Sequence, residues 1–365
     1  MLKISAFFTG KTDGNPGEPL TDTGLLLRIT VCIFIGMYLL AMFIWRGGFL
    51  RPQMLLDLFN LNASLIILSC GLTVVMIAGG IDISVGGVTA LVTMCCAVFL
   101  NSRGGNLLGS LGVALCIGLA FGIVQGFLIS YLEIQPFIIT LAGMFFARGM
   151  TTIVSKEPVK AAHEGFLNLY RARIEIPGLG YYANNGNYIT AKLEFGTIIA
   201  LAVVLIVFII LKWLRFGRNL YAIGGSSHSA LTLGINVKRT KFYSYVLCGL
   251  LAGIAGFVYI LHTASANPAG DAKMYEMKAI ASSIIGGTLL TGGVGNVIGT
   301  LFGTLSLLTI TNIVVTSGLS KPWWQQITTG AMLTFFILLQ SVVLSRRGRG
   351  GFKLESPQWL RFKKQ

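Results

Sequence analysis

The sequence predicts an all-α fold, a polytopic membrane bundle of about ten transmembrane helices with helix breaks at glycine-rich strings. Three observations carry this expectation. Of 365 residues, 54% are hydrophobic and only 11% charged, whereas soluble domains carry about 25% charged residues, and the mean hydropathy is +0.76. Apolar runs long enough to cross a bilayer, about 20 residues each, recur along the chain and leave no room for a second, soluble domain. The basic residues behind the net charge of +15 gather in a few segments beside apolar runs, which marks membrane topology and not a nucleic-acid partner.

In chain order the apolar spans fall near 25–45, 60–80, 83–100, 107–131, 136–155, 195–214, 240–262, 278–293, 296–316 and 323–345. The first follows a polar tail, 1–24, and lacks a small-residue cleavage site, so it reads as a retained anchor. Segment 212–241 holds Lys212, Arg215, Arg218, Lys238, Arg239 and Lys241 with no acidic residue, and the tail after Ser345 sets seven basic residues against Glu355 alone. Both belong in the cytoplasm. Segment 156–194 balances five basic residues with four acidic ones and carries Asn184-Asn185-Gly186-Asn187, as an exported loop does. These assignments give a cytoplasmic tail 1–24, a membrane domain 25–345 with a periplasmic loop 156–194 and a cytoplasmic loop 215–240, and a basic cytoplasmic tail 346–365.

Similar glycine strings interrupt two apolar regions, Ala78 to Gly87 and Ile285 to Gly295. A broken helix at membrane depth leaves backbone groups unpaired unless protein covers them or they line a watery cavity; a tight turn between two hairpin helices is equally compatible. Asp82 lies inside the first string, where an intramembrane carboxylate is costly without a partner. It reads either as part of a pathway or gate or as a cap for the following helix. Arg148, within an apolar run, reads as a snorkelling group or a structural ion pair. Glycines spaced by four at Gly118/Gly122/Gly126, Gly249/Gly253 and Gly295/Gly299/Gly303 predict close helix approaches. Cys32, Cys70, Cys95, Cys96, Cys116 and Cys248 all lie in apolar runs and read as small buried residues.

Segment Phe216 to Lys241 is long enough for a short surface helix between spans, and its Ser229–Ile235 stretch has helical spacing suited to a partner's groove. Catalytic signatures are missing. Gly10-Lys11-Thr12 lacks the first glycine and the strand of a P-loop, and Gly293-Val294-Gly295 follows no strand as a dinucleotide fingerprint would. His163, His228 and His262 are dispersed without metal-ligand spacing. No enzyme, metal or bound cofactor is expected of this chain.

The strings Gly79-Gly80-Ile81-Asp82-Ile83-Ser84-Val85-Gly86, the Phe216 to Gly225 loop, and Ala279-Ile280-Ala281 running on to Gly286-Gly287-Thr288 and Gly292-Gly293-Val294-Gly295 together resemble the ribose/galactose-type permeases of bacterial ABC importers, over about residues 25–345. Gln135 to Gly149 and the pair Trp323-Trp324 are most similar to a galactofuranose-importing branch. The resemblance implies an inner-membrane permease with both termini cytoplasmic, paired with a second related permease or with itself. It also implies two ATP-binding cassette subunits that use ATP and Mg, a periplasmic sugar-binding protein, and surrounding lipid. On that pattern Arg218, Ala222, Ile223, Gly224, Ala230, Gly234 and Ile235 couple to the ATPase, and Asp82, Ser84, Thr288 and Asn312 are pathway candidates. The alternative is an ion-coupled secondary transporter, which broken helices also suit; a membrane enzyme would need a catalytic set, and a channel a filter or ring of like residues.

Overall fold

A computed structural model describes residues 22–102, 104–182 and 188–346. The chain runs through α1 (Asp22–Ile44), α2 (Arg46–Phe49), α3 (Pro52–Asn60), α4 (Ala63–Ile77), α5 (Val85–Leu100), α6 (Leu107–Ser130) and α7 (Pro136–Val154). There follow β1 (Val159–Lys160), α8 (Glu164–Arg171), β2 (Arg173–Tyr182), β3 (Tyr188–Glu194), α9 (Phe195–Trp213), α10 (Arg215–Gly225) and α11 (Ser227–Thr232). The last elements are α12 (Val237–Thr263), β4 (Ser265–Ala266), α13 (Tyr275–Ile285), α14 (Val297–Thr316) and α15 (Pro322–Arg346). Proline opens α3 and α7 at their first turns, where its missing N–H costs nothing. Asn106, Asn236 and Asn296 cap α6, α12 and α14, each accepting a backbone N–H from the first turn.

The all-α membrane bundle is what the composition predicts, with two small departures: the segment 156–194 folds into α8 and an antiparallel β2–β3 hairpin, and β1 pairs with β4. Among the described residues six helices have the length and apolarity of a membrane span, and α3 with α4 makes a seventh bent by 56°. Helix α5 has 16 residues and α13 only 11, about 17 Å of rise for the latter, so these two of the ten apolar segments are shorter than a full span. The span placed at 60–80 breaks at Leu61–Asn62 and ends at Ile77, and that at 278–293 stops at Ile285.

The break before α4 has a visible cause. Asn60 Nδ2 donates to the Lys192 carbonyl at 3.0 Å, while its Oδ1 accepts from Glu194 N at 3.0 Å and Thr197 Oγ1 at 2.8 Å. Gln53 exchanges two further bonds with the Lys192 backbone. The end of α3 is therefore stitched to β3 and α9, and α4 sets out in a new direction. All fifteen residues of α4 are buried; a helix apolar on every side must be enclosed by others, and α4 is the axis of the bundle.

The glycine spacings mark two seams. A Cβ placed on Gly249 of α12 would stand 2.7 Å from Gly122 Cα of α6, and one on Gly118 would stand 2.9 Å from Gly253 Cα. On the other side of α4, a Cβ on Gly303 of α14 would lie 3.0 Å from Gly286 Cα. Without a hydrophobic drive between helices in lipid, such backbone approach supplies the packing energy.

The cysteine expectation needs correction: all six are free thiols, but only Cys70, Cys96 and Cys248 are buried, Cys32 and Cys95 are half-buried and Cys116 is exposed. Helix α6 presents Cys116 on its outer side, where lipid-facing apolarity and burial look alike in sequence. Among the described residues Arg148 pairs with no carboxylate; its guanidinium donates to the Asp271 and Ala272 carbonyls, both at 2.7 Å. Those carbonyls belong to a strained turn, with Ala272 at φ 46° and Met274 at φ 63°, and two bonds from a fork-shaped donor hold it in place.

Candidate functional site at the helix breaks

The two glycine strings, about 200 residues apart in sequence, pack on each other and on α10. Gly293 N donates to the Ile77 carbonyl at 2.9 Å, one of the orphan carbonyls at the end of α4. A Cβ on Gly292 would stand 2.9 Å from Gly79 Cα and 3.0 Å from Gly224 Cα. Gly224 itself abuts the Ile77 carbonyl and Gly293 N. Gly79, Gly292 and Gly293 have φ of 79°, 86° and 75°, the left-handed region that glycine enters without a steric cost. Tyr221, one turn before Gly224, donates to the Gly295 carbonyl at 2.8 Å; burial pushes its phenol up to about 12, so it remains a donor. The surface segment is thus locked to both helix breaks at one point.

That segment is two helices, not one, because Ser226 ends α10 in extended backbone and caps α11 by accepting from Ser229 N at 3.2 Å. The seven coupling candidates divide. Ile223, Gly224 and Ala230 face inward, Ala222 and Ile235 are half-buried, and Arg218 and Gly234 are exposed. Arg218 donates to the Trp213 carbonyl at 3.1 Å, bracing the corner from α9 into α10. Leu231 and Leu233, which belong to the Ser229–Ile235 stretch marked for a partner's groove, are 62% and 78% exposed. In sequence they are two leucines of a short amphipathic stretch and carry no sign of which way they point.

Among the pathway candidates, Asp82 and Ser84 meet. The Asp82 carboxylate, 3% exposed, accepts from Ser84 N at 2.9 Å and from Ser84 Oγ at 2.7 Å, so it organises the turn into α5. Ser84 also reaches Gln125 Oε1 on α6 at 3.1 Å. Thr288 is fully buried against Gly295 with an unpartnered hydroxyl, and Asn312 is half-exposed on α14; no hydrogen bond among the described residues joins either to Asp82. Asp82→Ala strands a buried N–H at a cost of about 1–3 kcal/mol. The purified protein is expected to melt several degrees lower in detergent, and an unchanged melting point would remove the capping role.

One end of the bundle carries the hairpin, where Ala161 N donates to the Ala264 carbonyl and His262 Nδ1 meets Glu194 Oε2 at 2.6 Å. The other end carries α10, α11 and the glycine lock, with α12 running between the two. A cavity of about 840 Å3 opens at this second end, between the first glycine string, the α6–α7 turn and α11. At its rim Glu133, paired with Lys238 at 2.8 Å, is held below the usual carboxylate range by that bond.

A bundle of long apolar helices, broken at two facing glycine strings and gripped there by a basic surface element, defines the class of a multi-pass membrane permease. The family model described as "Branched-chain amino acid transport system / permease component" matches residues 54–337, and the chain belongs to this family of ABC-importer permeases. It is similar to the inner membrane ABC transporter permease protein YjfF of Escherichia coli, at 37% identity across 87% of this chain and 92% of that one. The fructose import permease protein FruG of Bifidobacterium longum is 34% identical, across 87% and 91% of the two chains. The ribose import permease protein RbsC of Bacillus subtilis is 33% identical, across 84% and 91%. No solved structure matches the chain significantly. The chain is a transport subunit and not an enzyme, and the ion-coupled alternative is not favoured.

Proposed function

We propose that this chain is the transmembrane subunit of an ATP-driven bacterial importer and forms the path for a monosaccharide delivered by a periplasmic binding protein. The observation that carries this reading is the lock of α10, through Gly224, onto both helix breaks at once. A subunit powered from outside needs a surface that receives a push and a rigid connection to the elements that must part. The family description mentions branched-chain amino acids, but the fructose and ribose import permeases to which the chain is similar over more than four fifths of its length support a sugar. Within sugars, galactofuranose is favoured by the Gln135 to Gly149 and Trp323-Trp324 stretches.

The basic charge of 212–241 places α10 and α11 in the cytoplasm, with both termini, and the hairpin end outside. On this reading the tails 1–24 and 346–365, which lie almost wholly outside the described residues, are cytoplasmic and flank the membrane domain 25–345. A second related permease completes the pathway, and two cassette ATPases, using ATP and Mg, dock below. Leu231 and Leu233 supply the apolar contact to the ATPase, while Ile223, Gly224 and Ala230 pass its motion inward and Arg218, Ala222, Gly234 and Ile235 shape the element.

The test is purification of the tagged chain from its own membrane in mild detergent, with co-purifying proteins identified by mass spectrometry. A cassette ATPase and a second permease are expected. Leu231→Asp with Leu233→Asp, which alter only exposed positions, should lower ATPase recovery at least about tenfold, as loss of two buried leucine anchors would. Recovery of a lone chain that moves sugar into liposomes without ATP would overturn the reading.

A further inference from the structure

Basic side chains beside a membrane span are ordinary, but a basic pair set into a cavity between spans is suited to a negatively charged headgroup. A cavity of about 490 Å3 opens at the α10 end of the bundle, at the corner from α9 into α10, with α1 and the start of α14 as its other walls. It shares no lining residue with the larger cavity beside α11. Its cations are Lys212, in the last turn of α9, and Arg218, on α10; Phe208, Tyr221, Asn296 and Ile298 stand around them. No carboxylate among the described residues lines it, and segment 212–241 has no acidic residue to supply one.

Neither cation is neutralised. The Lys212 ammonium lies 5.2 Å from the centre of the Phe208 ring and 5.1 Å from that of Trp213, and Arg218 gives one N–H to the Trp213 carbonyl out of the five a guanidinium carries. Among the described residues no carboxylate pairs with either side chain. Two like charges on one small cavity are an unfavourable pair that an anion relieves.

The apolar part of the same corner runs along α9. At 3.6 residues per turn, Leu201, Leu205, Phe208, Ile209 and Lys212 fall within one stripe about 100° wide. Leu201, Leu205 and Ile209 are 40%, 58% and 39% exposed. From Lys212 back to Leu201 the axis spans about 16 Å, close to half of a hydrocarbon core about 30 Å thick, which is the depth of one leaflet. Trp213, exposed at the end of α9, sits where tryptophans mark the membrane boundary.

We propose that this corner binds an anionic phospholipid, its phosphate held in the cavity by Lys212 and Arg218 and an acyl chain laid along Ile209, Leu205 and Leu201. The cavity selects a negative head and the stripe an apolar tail, so the occupant carries both. A free phosphate leaves the stripe bare, and a zwitterionic lipid brings no net charge. The topology proposed above places the lipid in the cytoplasmic leaflet; binding itself does not depend on the transport reading. Because Tyr221 of the same cavity holds the Gly295 carbonyl of the second glycine string, a bound headgroup ties the end of α9 to the element locked on both helix breaks.

The test uses the full-length chain purified with its partner subunits in mild detergent, with phosphatidylglycerol and phosphatidylcholine of identical acyl chains as probes and native mass spectrometry as the readout. Phosphatidylglycerol is expected to bind at least about tenfold more tightly, the effect of two basic side chains. Lys212→Gln with Arg218→Gln should bring the two lipids within about twofold of each other. Arg215→Gln with Arg239→Gln removes the same charge outside the cavity and should keep the preference. In a second measurement on the wild type, phosphatidylglycerol with a diazirine at the end of one acyl chain is photolysed and the adduct mapped by peptide mass spectrometry. Adducts are expected between Leu201 and Ile209, suppressed by unlabelled phosphatidylglycerol but not by glycerol 3-phosphate at the same concentration. This labelling decides the matter even where a variant is lost from the monodisperse peak. An equal loss of preference in both variant pairs reduces it to net charge, and adducts confined to other helices put the lipid elsewhere; either overturns the site. Suppression by glycerol 3-phosphate makes it a free-anion site, and labelling of α9 only after the second permease is stripped away makes the stripe a protein interface; both overturn the lipid.

Discussion

Gly224→Val is expected to abolish ATP-driven uptake. The side chain at this position has no space, since its first carbon already meets the Ile77 carbonyl and Gly293 N. Valine must push α10 away from the helix breaks or disrupt the Gly293–Ile77 hydrogen bond. Overpacking at a tight contact costs about 1–3 kcal/mol and shifts the backbone, and displacement of a lock by even an ångström breaks a rigid linkage. Uptake should fall more than about a hundredfold, as a shift of roughly 3 kcal/mol implies. Gly225→Ala is the control, because a Cβ at Gly225 meets nothing within 4 Å. Cells carrying each variant are assayed for sugar uptake and, by immunoblot, for the amount of complex. Uptake at the wild-type rate in Gly224→Val would show that α10 does not transmit through this contact.

The second large effect is on assembly of the bundle itself. Gly249→Leu inserts a branched side chain where α6 and α12 approach to 2.7 Å from a notional Cβ, and the seam cannot yield without separating both helices. Most of the protein is expected to disappear from the monodisperse peak in size-exclusion chromatography. Gly149→Leu, at a position with nothing within 4 Å, should behave as wild type. A normal peak for Gly249→Leu would mean that the glycine spacing is incidental to the packing.

These two positions also show what the sequence makes legible. The four-residue spacing of Gly249 and Gly253 is enough to expect a close helix seam, because in lipid few other patterns have that meaning. The two glycine strings likewise announce breaks. That they stack on one another, with Gly224 between them, is a three-body contact that no local pattern encodes.

The bend at Leu61–Asn62 was equally hidden. The residues that cause it, Lys192 and Glu194, are more than 130 positions from Asn60. The burial of Glu276 is hidden for a different reason. It sits beside Asp271, Lys273 and Lys278, so a hydropathy window assigns it to a polar loop, whereas the fold carries it inside the bundle. Asp82 and Ser84 were found because apolar neighbours on both sides made them conspicuous; Gln125, on the same network, is one polar residue in a long apolar helix and draws less notice. The short reach of α13 was also obscured, since the glycine-rich stretch that follows Ile285 is apolar enough to extend the apparent span to 293.

Helix α4 has a consequence that reaches beyond packing. It is a rod of about 22 Å, enclosed on every side, stitched near its beginning to the hairpin through Asn60 and ending at the carbonyl that Gly293 and Gly224 grip. Such a strut carries load in both directions. If engagement of the hairpin end by a soluble protein changes the free energy of closing the far end, nucleotide bound at the far end must change that protein's affinity by the same factor. Sensing cargo outside and resetting for the next delivery are then one equilibrium observed from its two ends.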